Sequence, residues 1–430
     1  MQDNINALAR DYLPDDHRYF TFLKKVFRHE FRKNGFRRIS LSYLESTLMH
    51  KNVFGEEFVN NSIYNVENDK GLRLNSNLGV INAYLQGELK EEIQPVYLYH
   101  IDKYFNKNIS NFNSYNESYF IGGDIVGETD PILDSLLIYM TYTTLNKIGL
   151  ENTFSITLNT VLNKKESDTY IQDLKDFYEN KRHLLSEKGL KYLDTNPLKL
   201  LSLDSENEKI LAMESPKIIK YQKKDSKEYF AKLLGYLDML KISYEVDNLL
   251  VPDFAYCSNS AWVFKKINST KTISKGGRYN YLSKIMGNPK EIGAVGFSLN
   301  VDCLIEMLRE NNIKIKNKDE LDLYFIQLGD DAKKIVFNLS LEAREKGIKT
   351  MVSLGTPSMK EQILKAQRVK AKFIVIVGFM EAKNGVFQVR DMEKGTQEEV
   401  KKDDLLDYII GKIGNENLDF YCPVKDLIIE

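Results

Sequence analysis

Apolar residues in DDHRYFTFLKKVFRHEFRKNGF fall at Phe20, Leu23, Val26, Phe27 and Phe31, one face of a helix that Gly35 stops. RRISLSYLE then reads as a strand and LGVINAYLQGEL (78–89) as a helix. PVYLYHI and SYFIGGDIVG alternate like strands on either side of an Asn-rich loop. ETDPILDSLLIYMTYTTLNKIGL predicts a helix with Asp130 as cap, Pro131 in the first turn and Gly149 at the end. FSITLNTVL is a strand. Residues from about 165 to 242 are helical and charged, as in an inserted subdomain. SYEVDNLLV, AWVFKKI and GAVGFSL return to strand character, and a helix follows over 301–310. Beyond a polar stretch, NNIKIKNKDE, strand and helix alternate as in a βαβαβ unit with a mostly parallel sheet. GVFQVRDM adds a strand and KDDLLDYIIGKI a last helix.

These patterns divide the chain into a core over 1–310, a linker over 311–320, a second domain over 321–416 and a tail over 417–430. Hydrophobic residues make up 43 % of the 430, enough for packed cores. A net charge of −1 gives no global pull toward nucleic acid, so any such binding is local. Cys257, Cys303 and Cys422 lack paired spacing, which argues against a zinc site or a disulfide framework, and no HExxH places two histidines for a metal. The polar N-terminus is no signal peptide, and no apolar run reaches a membrane span. The expectation is a soluble cytoplasmic protein without a bound cofactor or metal.

In order along the chain, RDYLPDDHRYFTFLKKVFRHEFRKNGFRRISLSYLE, LRLNSNLGVINAYL, TNPLKLL, YLDMLKISYEVDNLLV, GGRYNYL, GAVGFSLNVDCL and TPSMKEQILKAQRVKAKFIVIVGFMEAKNGVFQVRDMEKGTQ resemble the histidyl-tRNA synthetase family of class II aminoacyl-tRNA synthetases. The resemblance implies an α+β fold: an antiparallel class II core with a helical insertion, then an α/β anticodon-binding-like domain. It also implies a homodimer, with tRNA or a protein as candidate partner and no membrane. The family joins histidine to ATP and passes the acyl group to tRNA, with guanidinium groups and Mg²⁺ stabilising the phosphates.

At the positions that carry this chemistry in the family, the chain departs from the pattern. The α-phosphate arginine position of the second motif is Asn106, its Glu is Asn108, and a second Arg is Ile109. Two loop arginines fall on Ser114 and Asn116. On the return strand a substrate-binding Gln becomes Phe120 and a Glu becomes Asp124. The Glu of LRPEGT is Asn75 and its Thr is Asn77. The γ-phosphate arginine of the third motif is Cys303, and the histidine-specific arginine position is Pro252. Of the two tyrosines near it, one survives as Tyr256 and the other is Cys257. Gly276, Gly277, Arg278 and Tyr279 persist; GGRY by itself reads as a surface turn, with the glycine pair allowing a tight bend. Cys303 reads as a small core hydrophobe, Arg73 as a structural ion pair and Lys107 as a solvated loop residue. In the second domain, Lys360 and Gln362 are candidate RNA or partner contacts.

From these departures the expectation is a catalytically inactive paralogue: a dimeric binding or regulatory scaffold with tRNA as candidate ligand, and with Asn75, Asn106, Phe120, Asp124, Pro252, Tyr256, Tyr279 and Cys303 as vestiges of the ATP and amino-acid site. The alternatives are a regulatory subunit of ATP phosphoribosyltransferase and a divergent active histidine–tRNA ligase.

Overall fold

The computed structural model describes residues 10–419 apart from 68, 113, 204, 253, 255, 316–319, 356 and 357. The expected tail beyond 419, the middle of the expected linker and the Thr356–Pro357 pair lie outside the described residues. The chain forms two units, Met1–Ile315 and Lys316–Glu430.

The first unit is organised by the opening helix, Pro14–Lys33. Proline sits in its first turn with Asp15 and Asp16, and Arg32 and Lys33 in its last, each matching the helix dipole. Its buried stripe of Tyr19, Phe20, Leu23, Phe27 and Phe31 lies on an eight-stranded sheet. The strand order is Arg37–Arg38, Val96–Phe105, Glu117–Val126, Ala294–Asn300, Thr272–Arg278, Ser258–Lys266, Phe154–Val161 and Glu245–Val246. Only the two short edge strands pair in parallel; the six long ones are antiparallel, as the resemblance implies. Helices Ile132–Lys147 and Val301–Glu310 share the core of that face.

Three expectations change here. RRISLSYLE is two short strands in different sheets: Arg37–Arg38 joins the large sheet, whereas Leu44–Ser46 pairs with Lys70–Leu72 in a three-stranded sheet. SYEVDNLLV contributes only Glu245–Val246, because the Asp247 carboxylate accepts from the Leu249 amide and turns the chain. GGRY is no surface turn. Gly276 and Gly277 lie inside the strand Thr272–Arg278, and a Cβ on Gly276 would stand 2.3 Å from the Trp262 ring. Glycine is required there for close approach rather than for bending.

The inserted segment is helical, with Lys164–Glu179, Glu187–Thr195 and Glu206–Glu214 contributing to its own core. Helix Lys224–Met239 leads back and buries Phe230, Leu233 and Leu237 in the main core. The polar stretch after residue 310 begins within the first unit: Ile313 and Ile315 pack on its core, and Ile313 O accepts from Tyr19.

The second unit has five strands ordered Thr350–Val352, Leu323–Gln327, Phe373–Val377, Val386–Asp391 and Gln397–Lys401. The first three are parallel, as the strand–helix alternation requires; the last two are antiparallel. Strand Gln397–Lys401 has no apolar run because four of its five residues are exposed.

Beneath the large sheet, Arg278 and Asp134 are both fully buried and paired at 2.9 Å. The guanidinium also donates to the carbonyls of Glu128 (2.8 Å) and Asp130 (2.6 Å), and Tyr229 and Ser260 complete the cluster. Removing one partner of a buried pair strands the other charge, at about 3–5 kcal/mol. Asp134→Ala should therefore lower unfolding free energy by about that much; a denaturant midpoint unchanged from wild type would contradict this.

Candidate active site

On the sheet face opposite the opening helix, alternate residues of Val96–Phe105 and Glu117–Val126 build a buried polar network. Asp124 is fully buried and accepts at 2.6 Å from the Tyr279 hydroxyl. Burial, and then the Asp124 charge, raise the Tyr279 phenol well above its ordinary range, so it remains a neutral donor. Asn75 donates to the Tyr256 hydroxyl at 3.1 Å, and that hydroxyl donates to Asn77 at 3.4 Å. Asn77 also bonds Tyr279, which joins the two halves. Phe120 is fully buried and stacked on Tyr104 at 4.4 Å between centroids, and the Tyr104 hydroxyl meets Ser298 at 3.2 Å.

Asn75, Phe120, Asp124, Tyr256 and Tyr279 thus come together. His100 belongs with them, although sequence reasoning passed over it. It is fully buried, with Nε2 3.4 Å from an Asp124 oxygen, and lies opposite Gly122 in the register. A Cβ on Gly122 would be 2.4 Å from the imidazole, so the ring fills the space that glycine leaves. The available signal was the alternation itself, which puts His100 on the face of Leu98, Asp102 and Tyr104. Arg73 also reaches this region. It is fully buried, donates to the carbonyls of Lys103 and Leu41, and lies 3.4 Å from Asp102. The network is equipped to recognise a ligand through hydrogen bonds and one carboxylate.

Asn106, Cys303 and Pro252 serve other local structures. Asn106 closes the loop after the first long strand: its side chain accepts from the Asn108 amide, and its backbone carbonyl accepts from Asn116 at 2.7 Å. Asn108 reaches Ser62 and the Asn61 carbonyl. Lys107 is pinned to the Asn60 carbonyl at 3.0 Å rather than simply solvated. The side chains of this Asn-rich loop are used to hold the loop itself. Pro252 is half-buried in the irregular segment before the strand Ser258–Lys266. Among the described residues no three metal-ligating side chains gather in a cation site, so no metal-dependent step is derived.

Gln362 corrects its assignment as a surface contact. It is fully buried, accepts from the Gln327 amide at 3.0 Å and donates to the Gln327 carbonyl at 2.8 Å, locking a helix to a strand. Lys360, on the same helix, is exposed.

Cys303 opens helix Val301–Glu310, where Asn300 caps its amide at 2.9 Å. Burial, with Glu306 nearby, pushes its thiol up to about 12. Lys266 and Lys271 stand near but are paired with Glu310 and Glu306 at 2.5 Å. Alkylation requires thiolate. At pH 8, iodoacetamide should therefore leave Cys303 unmodified in the native protein and label it in denaturant, as read by peptide mass; rapid native labelling would overturn this account.

An antiparallel core with a helical insertion, a buried polar network on its open face and a following α/β unit defines a class II aminoacyl-tRNA synthetase fold with an anticodon-binding domain. Profiles of two families match: "Histidyl-tRNA synthetase" over residues 8–304 and "Anticodon binding domain" over 322–412. The chain belongs to the histidyl-tRNA synthetase family. It is 28 % identical over 408 residues to the histidine–tRNA ligase of Halothermothrix orenii, covering 93 % of this chain and 97 % of that one. The ligase of Bacillus subtilis is 27 % identical over 414 residues, with coverages of 94 % and 97 %. Among solved structures, apo histidyl-tRNA synthetase of S. aureus superposes with a TM-score of 0.75 at 23 % identity, covering 94 % of this chain and 99 % of that one. A protein of Bacillus halodurans C described as an ATP phosphoribosyltransferase regulatory subunit/histidyl-tRNA synthetase gives 0.57 at 15 %, with 88 % and 98 % covered. At those identities the structural likeness shows the fold.

These relatives overturn the expectation of a chain that is no enzyme. Proteins aligned along more than nine-tenths of it carry the name of a ligase. Replacement of three arginines shows a changed site; it does not establish inactivity, because charge is also supplied from other elements of a fold.

Proposed function

We propose that the protein binds tRNA through residues 322–412 and that its class II core carries out histidine–tRNA ligation. What supports this is the co-linear match of both families, together with relatives named for that reaction along nearly their whole length. A ligase on this chain must neutralise the triphosphate without arginines at Asn106, Pro252 and Cys303. The register offers Lys275 for this task. It pairs with Ser298, whose hydroxyl meets Tyr104 in the buried network, and its ammonium lies 5.2 Å from the Phe112 ring at the loop. Tyr279 and Asp124 would orient the amino acid by hydrogen bonding. Loss of one preorganised donor costs about 10²–10³ in rate. Lys275→Met should therefore reduce histidine-dependent pyrophosphate exchange about 10²-fold while leaving tRNA affinity unchanged. Absence of exchange by the wild type with histidine, ATP and Mg²⁺ would refute ligation. Filter binding to a tRNA transcript tests the other half: affinity should fall steeply as salt rises, because phosphate contacts release counterions. Failure to retain tRNA at low salt would refute binding.

The core is also proposed to form a homodimer through its first-motif segment. Tyr43 and Leu44 are each 44 % exposed and Leu48 is 65 % exposed, an apolar set on a segment with its own small sheet. Light scattering at micromolar concentration should give twice the 49.8 kDa chain mass, and a monomer would exclude the assembly.

A further inference from the structure

We infer that a recess in the second unit seats one unpaired base of the bound RNA, a reading that rests on the tRNA binding proposed above. The recess has a volume of about 300 Å³ and is lined by Gln367, Lys370, Ala371, Lys372, Met392 and Glu393. That is the small end of the range for ligand sites, suited to one heterocycle rather than a large molecule. Floor and rim differ in chemistry. Ala371 and Met392 belong to the apolar cluster of Tyr324, Ile326 and Ile374, and present an apolar surface. Gln367, Lys370 and Glu393 are exposed around it, supplying an amide, an ammonium and a carboxylate.

The walls are fixed. The Met392 amide donates to the Lys372 carbonyl at 2.8 Å, joining the two sides. Asp391 accepts from the amides of Glu393 and Lys394 at 3.0 and 2.9 Å, holding the turn. Lys372 is paired with buried Asp322 at 2.7 Å, which leaves Lys370 as the cation at the rim. Lys370 sits at φ 51°, a left-handed conformation that L side chains resist and glycine adopts freely. Local backbone stability therefore does not account for a lysine at this position.

A recess that is apolar below and carries both charges at its edge fits a flat ring with polar edges. A carboxylate on the rim disfavours a lone phosphate. It accepts hydrogen bonds from an exocyclic amino group, as in cytosine, adenine or guanine, while Lys370 meets the adjoining phosphate. Unstacked loop bases are the usual targets of sequence-specific RNA recognition.

The test uses the full-length protein, a tRNA transcript, and four RNA hairpins differing only in loops of A, C, G or U. Lys370→Gly keeps the backbone conformation and removes the ammonium; it should weaken tRNA binding about fivefold or more and lower the salt slope by about one. Glu393→Gln keeps the shape of the side chain. The wild type should prefer amino-bearing loops over the U loop about fivefold or more, and Glu393→Gln should level that preference. Wild-type tRNA binding that neither variant alters, with the loop preference unchanged, would overturn the recess alone. Loss of tRNA binding by the wild type itself would overturn the recess together with the reading it rests on.

Discussion

The Arg278 guanidinium sits at the crossing of three structural elements in the first unit. It leaves the central strand Thr272–Arg278, pairs with Asp134 in helix Ile132–Lys147, and bonds the carbonyls of Glu128 and Asp130 just before that helix begins. Burial pushes the Asp134 carboxyl up, and the guanidinium opposes that shift. Two desolvated charges persist there because nearly every lone pair and proton finds a partner: Tyr229 and Ser260 fill the remaining positions on the carboxylate. Strand, helix and connecting loop are thereby fixed in register, and the next residue, Tyr279, enters the opposite face at a defined point. The bond from Tyr279 to Asp124 inherits its geometry from the ion pair beside it.

The site face follows a different economy. Its polar groups mostly satisfy one another through neutral hydrogen bonds, and its two buried arginines are occupied with carbonyls and carboxylates of the fold. Phe120 stacked on Tyr104 and the His100 ring over Gly122 take up volume in the same region. Class II chemistry on this chain therefore depends on cations arriving from the edges of the network. That requirement singles out Lys275, which the antiparallel register brings to the correct face.

In the second unit, the buried Gln362 shows how a polar residue can match a binding pattern for structural reasons. Its amide completes the hydrogen bonds of Gln327 at the end of a central parallel strand, where an unmatched backbone group would be costly. The exposed cations of the same helix stand on its opposite side, available to a polyanion.

The periodic apolar pattern by itself determined the opening helix, the long strands, the helical insertion and the alternation of the second unit, since each depends on a local repeat that buries one face. Ordered motifs determined the family resemblance. Only tertiary structure decided what the ambiguous residues do. Gly276 needed the Trp262 ring across the sheet to explain it; Gln362 needed Gln327, thirty-five residues away in the chain. RRISLSYLE divided between two sheets because pairing partners, which no local window contains, determine where a strand ends. His100 was invisible for the same reason. Its environment is set by Gly122 and Asp124 on the neighbouring strand, and a burial formed by long-range pairing leaves little trace in the residues on either side.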